Sequence, residues 1–437
     1  MTTAREIAVL ALSACERQGA WSDAFLKDAI RDAGLDSRDA AFATRICVGV
    51  LQNRMLLDFY IGQYSSIVPQ KLEIKVLCAL RIGVYQMVLM DRVPHSAAVN
   101  ESVNLARKYA KNPKAAGLVN GVLRNISRKI ELLPKPQDLA TRYSHPAWLV
   151  KEFRLAVGAG ELEALLAADN EQPPIFAQTN LCRTTTAELA AALEGEGVTT
   201  SPHPWEPDCL LLSDTGDMTR LESFRAGSFY VQDPAAHWAV VAAEPKPGMR
   251  VLDACAAPGG KSVAAAIAMK NQGEIIACDI HENKLPLICG SAERMGLTCI
   301  RAMTQDAKVL RTDWREHFDL VLADVPCSGF GVIRKKPDIR YKDPKPLAGL
   351  PAVQTAILEN LAHYVKPGGV LLYSTCTILK CENQAVIRGF TEKHKDFTLE
   401  RFECPQTVEA EENGMMTFFP HRHGTDGFFI AKLRKCR

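Results

Sequence analysis

No stretch of this chain approaches the roughly 20 uninterrupted apolar residues of a membrane span, which argues against an integral membrane protein. Its opening, Met1-Thr2-Thr3-Ala4-Arg5-Glu6, lacks the basic end and apolar run of a secretory signal, so a cytoplasmic location is expected. The 14 cysteines include no Cys-x-x-Cys pair, which speaks against a disulfide framework and against a zinc site alike. Internal repeats and low-complexity tracts are also missing. One absence is local. From Ser102 to Ile130 there is no acid at all, while Arg107, Lys108, Lys111, Lys114, Arg124, Arg128 and Lys129 accumulate. The net charge of +2 conceals this block, which suits a phosphate backbone and equally a solvated helix face.

What is present is enough for several cores. At 437 residues, 47% apolar and 23% charged, the chain reads as roughly two to four globular domains. The first stretch, 1–138, is helical in pattern: Thr3 and Glu6 form a capping box, and Ile7, Leu10, Ala11 and Ala14 share one helix face. Further helices are predicted from about Ser37 through Leu51, over Leu72 to Met90 and over His95 to Lys111. Pro134-Lys135-Pro136 breaks the pattern, and 139–232 reads as a small α+β unit with strands near Phe176 to Leu181 and Cys209 to Leu212 around a helix over Thr186 to Glu196. In 233–437 strands alternate with helices, as in a parallel sheet covered on both faces. Its predicted strands are Arg250 to Ala254, Glu274 to Cys278, Cys299 to Thr304, Asp319 to Ala323 and Val370 to Ser374. A helix over Pro351 to Val365 is expected to stop at Lys366-Pro367-Gly368-Gly369.

Open parallel sheets bind ligands beyond the carboxyl ends of their strands, where the strand order reverses. The first strand of the third region runs into Cys255-Ala256-Ala257-Pro258-Gly259-Gly260-Lys261, a glycine turn that lets backbone approach a ligand just before a helix offers its free N–H groups. Asp279 closes the next strand, placed to accept both hydroxyls of a ribose, and Asp306 follows the third, where it could take an adenine amino group. The turn has neither the full G-x-G-x-x-G spacing nor a phosphate-loop ending, so S-adenosylmethionine is a better candidate than NAD or ATP.

Two cysteines lie downstream, Cys327 in Asp324-Val325-Pro326-Cys327-Ser328-Gly329 and Cys376 in Ser374-Thr375-Cys376-Thr377. Carbon 5 of a pyrimidine such as cytosine cannot displace a methyl group from a sulfonium until a nucleophile adds at carbon 6, and a thiolate does this well. The carbon-5 proton must then leave and the thiol be expelled, tasks that two thiols could divide. Nearby cations favour the reactive thiolate, and Lys261 or the run Arg334, Lys335, Lys336 could supply them. A cysteine at a strand end is otherwise packing, which is how Cys255 and Cys278 read.

Residues 250–332 and 370–383 resemble the RNA cytosine-C5 methyltransferases. The resemblance implies that Cys376 is the attacking thiol, that Cys327 assists release of the covalent adduct, and that Asp324 holds the base. It places the cofactor contacts on Cys255, Ala256, Ala257, Pro258, Gly259, Gly260, Lys261, Asp279, Asp306 and Asp324. Val93 to Glu101 and Val119 to Asn125 are similar to a NusB-like domain, and Asp426 to Ala431 to the family's last strand, in the bacterial 16S rRNA cytosine-C5 methyltransferases of the Fmu (RsmB) type. The implied architecture is an all-α NusB-like RNA-binding domain (1–138), a small α+β, RRM-like unit (139–232) and an α/β Rossmann-like S-adenosylmethionine methyltransferase domain (233–437). Lys380-Cys381 departs from the family pattern before Glu382-Asn383, which concerns the shape of that loop. The implied partner is 16S rRNA, naked or partly assembled because carbon 5 is reached only in an unstacked base, and the enzyme is expected to act as a monomer without membrane or metal. Three other readings stay open: a catalytically vestigial assembly factor, a methyltransferase of another RNA, and a DNA cytosine-C5 methyltransferase in which the Pro-Cys thiol attacks.

Overall fold

The computed structural model describes residues 2–18, 23–405 and 414–436, which fall into two compact units. One comprises Met1–Glu171 with Lys335–Lys342, the other Gln172–Arg334 with Asp343–Arg437.

The first unit is helical. The Thr3 hydroxyl accepts from the Glu6 amide at 3.3 Å while the Glu6 carboxylate accepts from the Thr3 amide at 3.2 Å, the predicted capping box, and helix Ala4–Gln18 follows. Helix Ile74–Val88 is buried on nearly every side, which its almost continuous apolar sequence requires. It starts later than the predicted Leu72 because Leu72 closes a short turn, Pro69–Lys71, that must end before the helix begins. The helix carries one buried cation, Arg81, whose guanidinium clamps Asp58 at 2.7 and 2.8 Å and Glu16 at 2.6 Å. Helices Leu139–Arg142, Ala147–Val157 and Leu162–Ala168 complete this unit. Arg107, Lys108, Lys111, Lys114, Arg124, Arg128 and Lys129 are all exposed on helices His95–Tyr109 and Ala115–Arg128 and their flanks.

Arg340 ties the segment Lys335–Lys342 into this unit. It is fully buried, and its guanidinium donates to the carbonyls of Gln52 (3.1 Å) and Asp169 (3.2 Å) and to the Asn170 side chain (2.8 Å). Beside it the Tyr341 hydroxyl donates to the Leu51 carbonyl at 3.0 Å, and the Arg54 guanidinium stacks on the Tyr341 ring at 3.6 Å.

The second unit holds two sheets. The smaller is antiparallel, in the order β2-β3-β1-β4, from β1 (Ile175–Thr179), β2 (Thr199–Pro202), β3 (Cys209–Ser213) and β4 (Phe229–Val231). Helix Thr186–Gly195 follows β1, opened by a Thr185/Glu188 capping box, and helix Glu222–Arg225 precedes β4, giving the β-α-β-β-α-β order of a ferredoxin-like unit. The larger sheet takes β5 (Arg250–Asp253), β6 (Glu274–Asp279), β7 (Ile300–Thr304), β8 (Phe318–Asp324), β9 (Val365–Thr375), β10 (Phe397–Leu399), β11 (Met415–Phe418) and β12 (Phe428–Lys435). Its order is β10-β12-β9-β8-β5-β6-β7, with β11 also paired to β12. Strands β5 to β9 run parallel and β12 antiparallel, so the sheet is mixed rather than purely parallel. The chain steps outward from β5 to β7 and returns to β8, which puts the reversal of order between β5 and β8.

One expectation fails locally. The helix before β9 ends at Ala362, and Lys366-Pro367-Gly368-Gly369 lies inside β9 instead of stopping the helix. Against β8 the register jumps from Phe318↔Val365 to Leu320↔Val370, so these residues form a bulge. A side chain at Gly369 would stand 2.9 Å from the Lys366 carbonyl, which is why glycine belongs here.

Replacing Arg340 with methionine removes the donor from several buried carbonyls at once. Arg340→Met is expected to destabilise the helical unit by about 3 kcal/mol, read as a lower denaturation midpoint of the full chain.

Candidate active site

The reversal between β5 and β8 fixes where a ligand can lie. Leaving β5, the chain turns through Cys255 to Gly259, with a cis Ala257–Pro258 bond, into helix Gly260–Ala268. Gly259 has φ +110°, a conformation that disfavours side chains, and a Cβ on Gly260 would lie 3.1 Å from the Gln232 amide nitrogen. Under the turn, Asp253 is completely buried, accepts from the Ser262 hydroxyl at 2.6 Å and leaves Oδ1 without a partner. Burial pushes its carboxyl up to about 6. Asp279, at the end of β6, is buried; its Oδ1 accepts from the His281 amide at 2.9 Å and lies 3.7 Å from the Lys284 ammonium. Asp306 follows β7, half-buried, its Oδ1 bonded by the Lys308 amide at 2.9 Å. A glycine cradle, an unpartnered buried oxygen and acids ending two successive strands fit a nucleoside-type cofactor.

At the end of β8, Asp324 stands in register with Ser374 of β9. The Ser374 hydroxyl donates to Asp324 Oδ1 at 2.8 Å and the Lys261 ammonium to Oδ2 at 2.7 Å. Lys261, nearly buried, lies 4.9 Å over the Phe428 ring, so the glycine turn, both strand ends and β12 meet around one ion pair. Just beyond these strand ends the two sulfurs face each other, Cys327 Sγ to Cys376 Sγ at 3.2 Å, both half-buried.

The two thiols are not equivalent. Cys376 is shifted toward the thiolate, first by the hydrogen bond from Cys327 and further by the Lys261 charge, against the opposing effects of burial and Asp324. Cys327 is pushed far up by the same shared hydrogen bond, by burial and by the negative field of Cys376, Glu382 and Asp324. These opposite shifts favour Cys376 as the sulfur that ionises first, with Cys327 as donor.

A buried network fixes both loops. Glu382 Oε2 accepts from the Ser328 amide at 2.9 Å and from the Gln354 side chain at 2.8 Å, and Gln354 also donates to the Pro326 carbonyl at 3.1 Å. The Ser328 hydroxyl donates to Thr377 at 2.9 Å, the Thr375 hydroxyl to Asn383 at 2.6 Å, and the Asn383 amide to the Thr377 carbonyl at 2.8 Å. The Gly331 amide donates to the Cys376 carbonyl at 2.9 Å, and a Cβ on Gly331 would collide with the Gly427 carbonyl at 1.8 Å.

Comparison with known proteins identifies the family. Residues 240–434 match the family model described as 16S rRNA methyltransferase RsmB/F, residues 2–128 the NusB family, and residues 145–219 the RsmF/B-like ferredoxin-like domain. A probable ribosomal RNA small subunit methyltransferase B of Bacillus subtilis is 38% identical over 446 residues, covering 99% of both chains. A ribosomal RNA small subunit methyltransferase B of Erwinia tasmaniensis is 33% identical, covering 100% of this chain and 99% of its own. The chain belongs to the RsmB family of 16S rRNA methyltransferases. The crystal structure of PH0851 has a TM-score of 0.82 at 28% identity and covers 98% of each chain.

Within this rRNA methyltransferase the residues singled out from sequence fall into two groups. Lys261, Asp324, Cys327 and Cys376 converge directly. Cys255 to Gly260, Asp279 and Asp306 line the carboxyl ends of β5, β6 and β7. The basic run separates: Arg334 is buried, donating to the Gly424 carbonyl at 3.1 Å, while Lys335 and Lys336 are exposed in the segment that packs with the helical unit. Lys261 is the cation whose field reaches Cys376. Lys380 and Cys381, which depart from the family pattern, are exposed, whereas Glu382 and Asn383 are buried. Reading from sequence missed the anchoring parts played by Glu382, Gln354 and Ser374. A buried acid reaching back across 54 residues to a backbone amide leaves no local signal. Among the described residues no helix could cross a membrane and no cluster could hold a metal.

Removing the Lys261 charge leaves Asp324 facing Cys376 alone. Lys261→Met is expected to move the pH midpoint of Cys376 alkylation by iodoacetamide upward, measured by peptide mapping across a pH series.

Proposed function

We propose that this family member transfers a methyl group from S-adenosylmethionine to carbon 5 of one cytosine in 16S rRNA through a covalent bond between Cys376 and carbon 6. The observation that carries this reading is the 3.2 Å sulfur pair, polarised toward a Cys376 thiolate, beside Asp324. The division into 1–138, 139–232 and 233–437 assigns RNA binding to the NusB-like part, whose exposed basic block suits phosphates, and chemistry to the last part.

When bound, the cofactor supplies a methyl group activated on a positively charged sulfur. Cys255 to Lys261 hold it against the glycine turn, Asp279 takes its ribose and Asp306 its adenine. Asp324 accepts from the exocyclic amino group of the flipped cytosine, and the proton on the adjoining Lys261 offsets charge as the ring is attacked. Cys376 thiolate adds at carbon 6, which makes carbon 5 the nucleophile. Once that sulfur is bonded to carbon it no longer carries the charge that keeps Cys327 protonated. Cys327 can then give its proton to solvent and, as a thiolate, take the carbon-5 proton while the carbon-6 bond breaks and Cys376 is expelled as a thiolate. A naked or partly assembled RNA and a monomeric, cytoplasmic enzyme fit this scheme, because the target base must leave its stack.

Cys376→Ala is expected to abolish transfer of labelled methyl groups to 16S rRNA while leaving cofactor affinity within about twofold, since the sulfur acts on the base. Cys327→Ala is expected to accumulate a protein–RNA adduct stable to denaturing electrophoresis. Reversed phenotypes would exchange the two roles, and a full set of intact cysteines without methyl transfer would favour a vestigial assembly factor. Asp279→Ala is expected to weaken S-adenosylmethionine binding about tenfold, ~1.4 kcal/mol, by calorimetry, because a buried acceptor of ribose hydroxyls is lost.

A further inference from the structure

The chemistry proposed above asks that two sulfurs be close, with one of them a thiolate; the same arrangement has a consequence outside methyl transfer. We propose that Cys376 and Cys327 form a reversible oxidative modification site, in which a hydroperoxide converts the pair into a disulfide and switches the enzyme off when no RNA occupies it. This rests on the functional reading only for its effect on activity; the modification itself stands on the sulfur geometry.

Three observations carry it. The sulfurs lie 3.2 Å apart, within van der Waals contact, so closing the bond requires about 1 Å of approach. Both residues keep some exposure, whereas Cys47, Cys78, Cys209 and Cys278 are buried in cores. The pair is also asymmetric, with Cys376 as the nucleophile and Cys327 as a neighbouring thiol held by Glu382, Ser328 and Gln354 in the position of a resolving group.

The steps balance. Cys376 thiolate attacks the outer oxygen of the hydroperoxide, the O–O bond breaks, and an alkoxide or hydroxide leaves, taking up the proton that Cys327 releases. Cys376 is then a sulfenic acid. The Cys327 thiolate attacks that sulfur, an S–S bond forms, and hydroxide departs and becomes water on protonation. In sum one hydroperoxide is reduced to an alcohol (or, from hydrogen peroxide, to water) and one further water, and two thiols are oxidised to one disulfide. A dithiol reductant reverses the change by exchange. A cytosine bonded to Cys376 removes the thiolate, so an enzyme engaged with RNA is protected.

The test is treatment of the full-length enzyme with hydrogen peroxide near equimolar amounts, with and without 16S rRNA and cofactor, followed by alkylation and peptide mass mapping without reductant. The expected product is a Cys327–Cys376 linked peptide pair, two hydrogens lighter than the sum of the free peptides. Methyl transfer should fall on the order of tenfold or more and return with dithiothreitol. In Cys327→Ser the sulfenic acid has no resolving partner, so Cys376 should be captured by dimedone, a label that wild type resists. A link from Cys376 to the exposed Cys381, or irreversible sulfinic acid in wild type, would overturn the proposal. Because the linked peptide is read by mass, its absence is distinguishable from failure of the methyl-transfer reading, which shows as an untreated enzyme without activity.

Discussion

The register between β8 and β9 is the constraint on which the site depends. Asp324 and Ser374 are partners across adjoining parallel strands, and each strand then delivers a cysteine two or three residues later. Parallel pairing sends both chain ends out of the sheet on the same side, so two residues separated by 49 positions meet at 3.2 Å. A shift of one residue would turn Asp324 to the opposite face of the sheet and separate the sulfurs. Register is secured by the fully buried strands themselves, Leu320 to Ala323 against Val370 to Tyr373, and by the bulge at Lys366 to Gly369, which absorbs surplus residues before the site is reached.

Charge is distributed with equal care. A buried Lys261 faces Asp324, and beyond Asp324 lies Cys376, whose thiolate form the same cation favours. In a partly desolvated setting such a cluster is stable only while each charge keeps its partner, and removing one leaves the others uncompensated. Glu382 is handled differently. Its carboxylate is held by the Ser328 amide and the Gln354 side chain, hydrogen bonds that keep it anchored while its negative field falls on Cys327. The inequality of the two thiols therefore arises first from the hydrogen bond they share and then from the charges around each loop, both properties of tertiary packing.

Much of this was legible in the chain. The Thr3/Glu6 cue marks a helix start through local hydrogen-bond chemistry, and the alternation after Pro247 follows from strands buried on both faces. The glycine turn and the cysteine strings could be recognised because close backbone approach and thiol chemistry restrict residue choice. What escaped lies between distant segments. Lys366-Pro367-Gly368-Gly369 has the composition of a stop signal, yet it is a bulge because β8 lies alongside it. Arg334 and Lys335 are adjacent in a basic run, yet one is buried in the second unit and the other belongs to the first. Charge runs carry no information about which member turns inward.

The middle sheet, which offers no chemistry of its own, has a mechanical part to play. The chain passes from β4 through Gln232, whose amide nitrogen sits 3.1 Å from where a Cβ on Gly260 would be, and Asp233, which accepts the Asp426 amide at 3.0 Å. On the other flank Arg294, from helix Leu285–Met295, donates to the carbonyls of Phe224 (2.7 Å) and Phe229 (3.0 Å), and Asn180 donates to those of Gly227 (2.9 Å) and Met295 (3.0 Å). These bonds tie the two sheets together through backbone carbonyls, so separating the sheets would give up several hydrogen bonds at once. The ferredoxin-like sheet thereby presses Gln232 against the glycine turn and, through Asp233, holds the loop that leads into β12 and Phe428. Gln232 and Asp233 thus brace two sides of the Lys261 site, the glycine turn and the loop before Phe428.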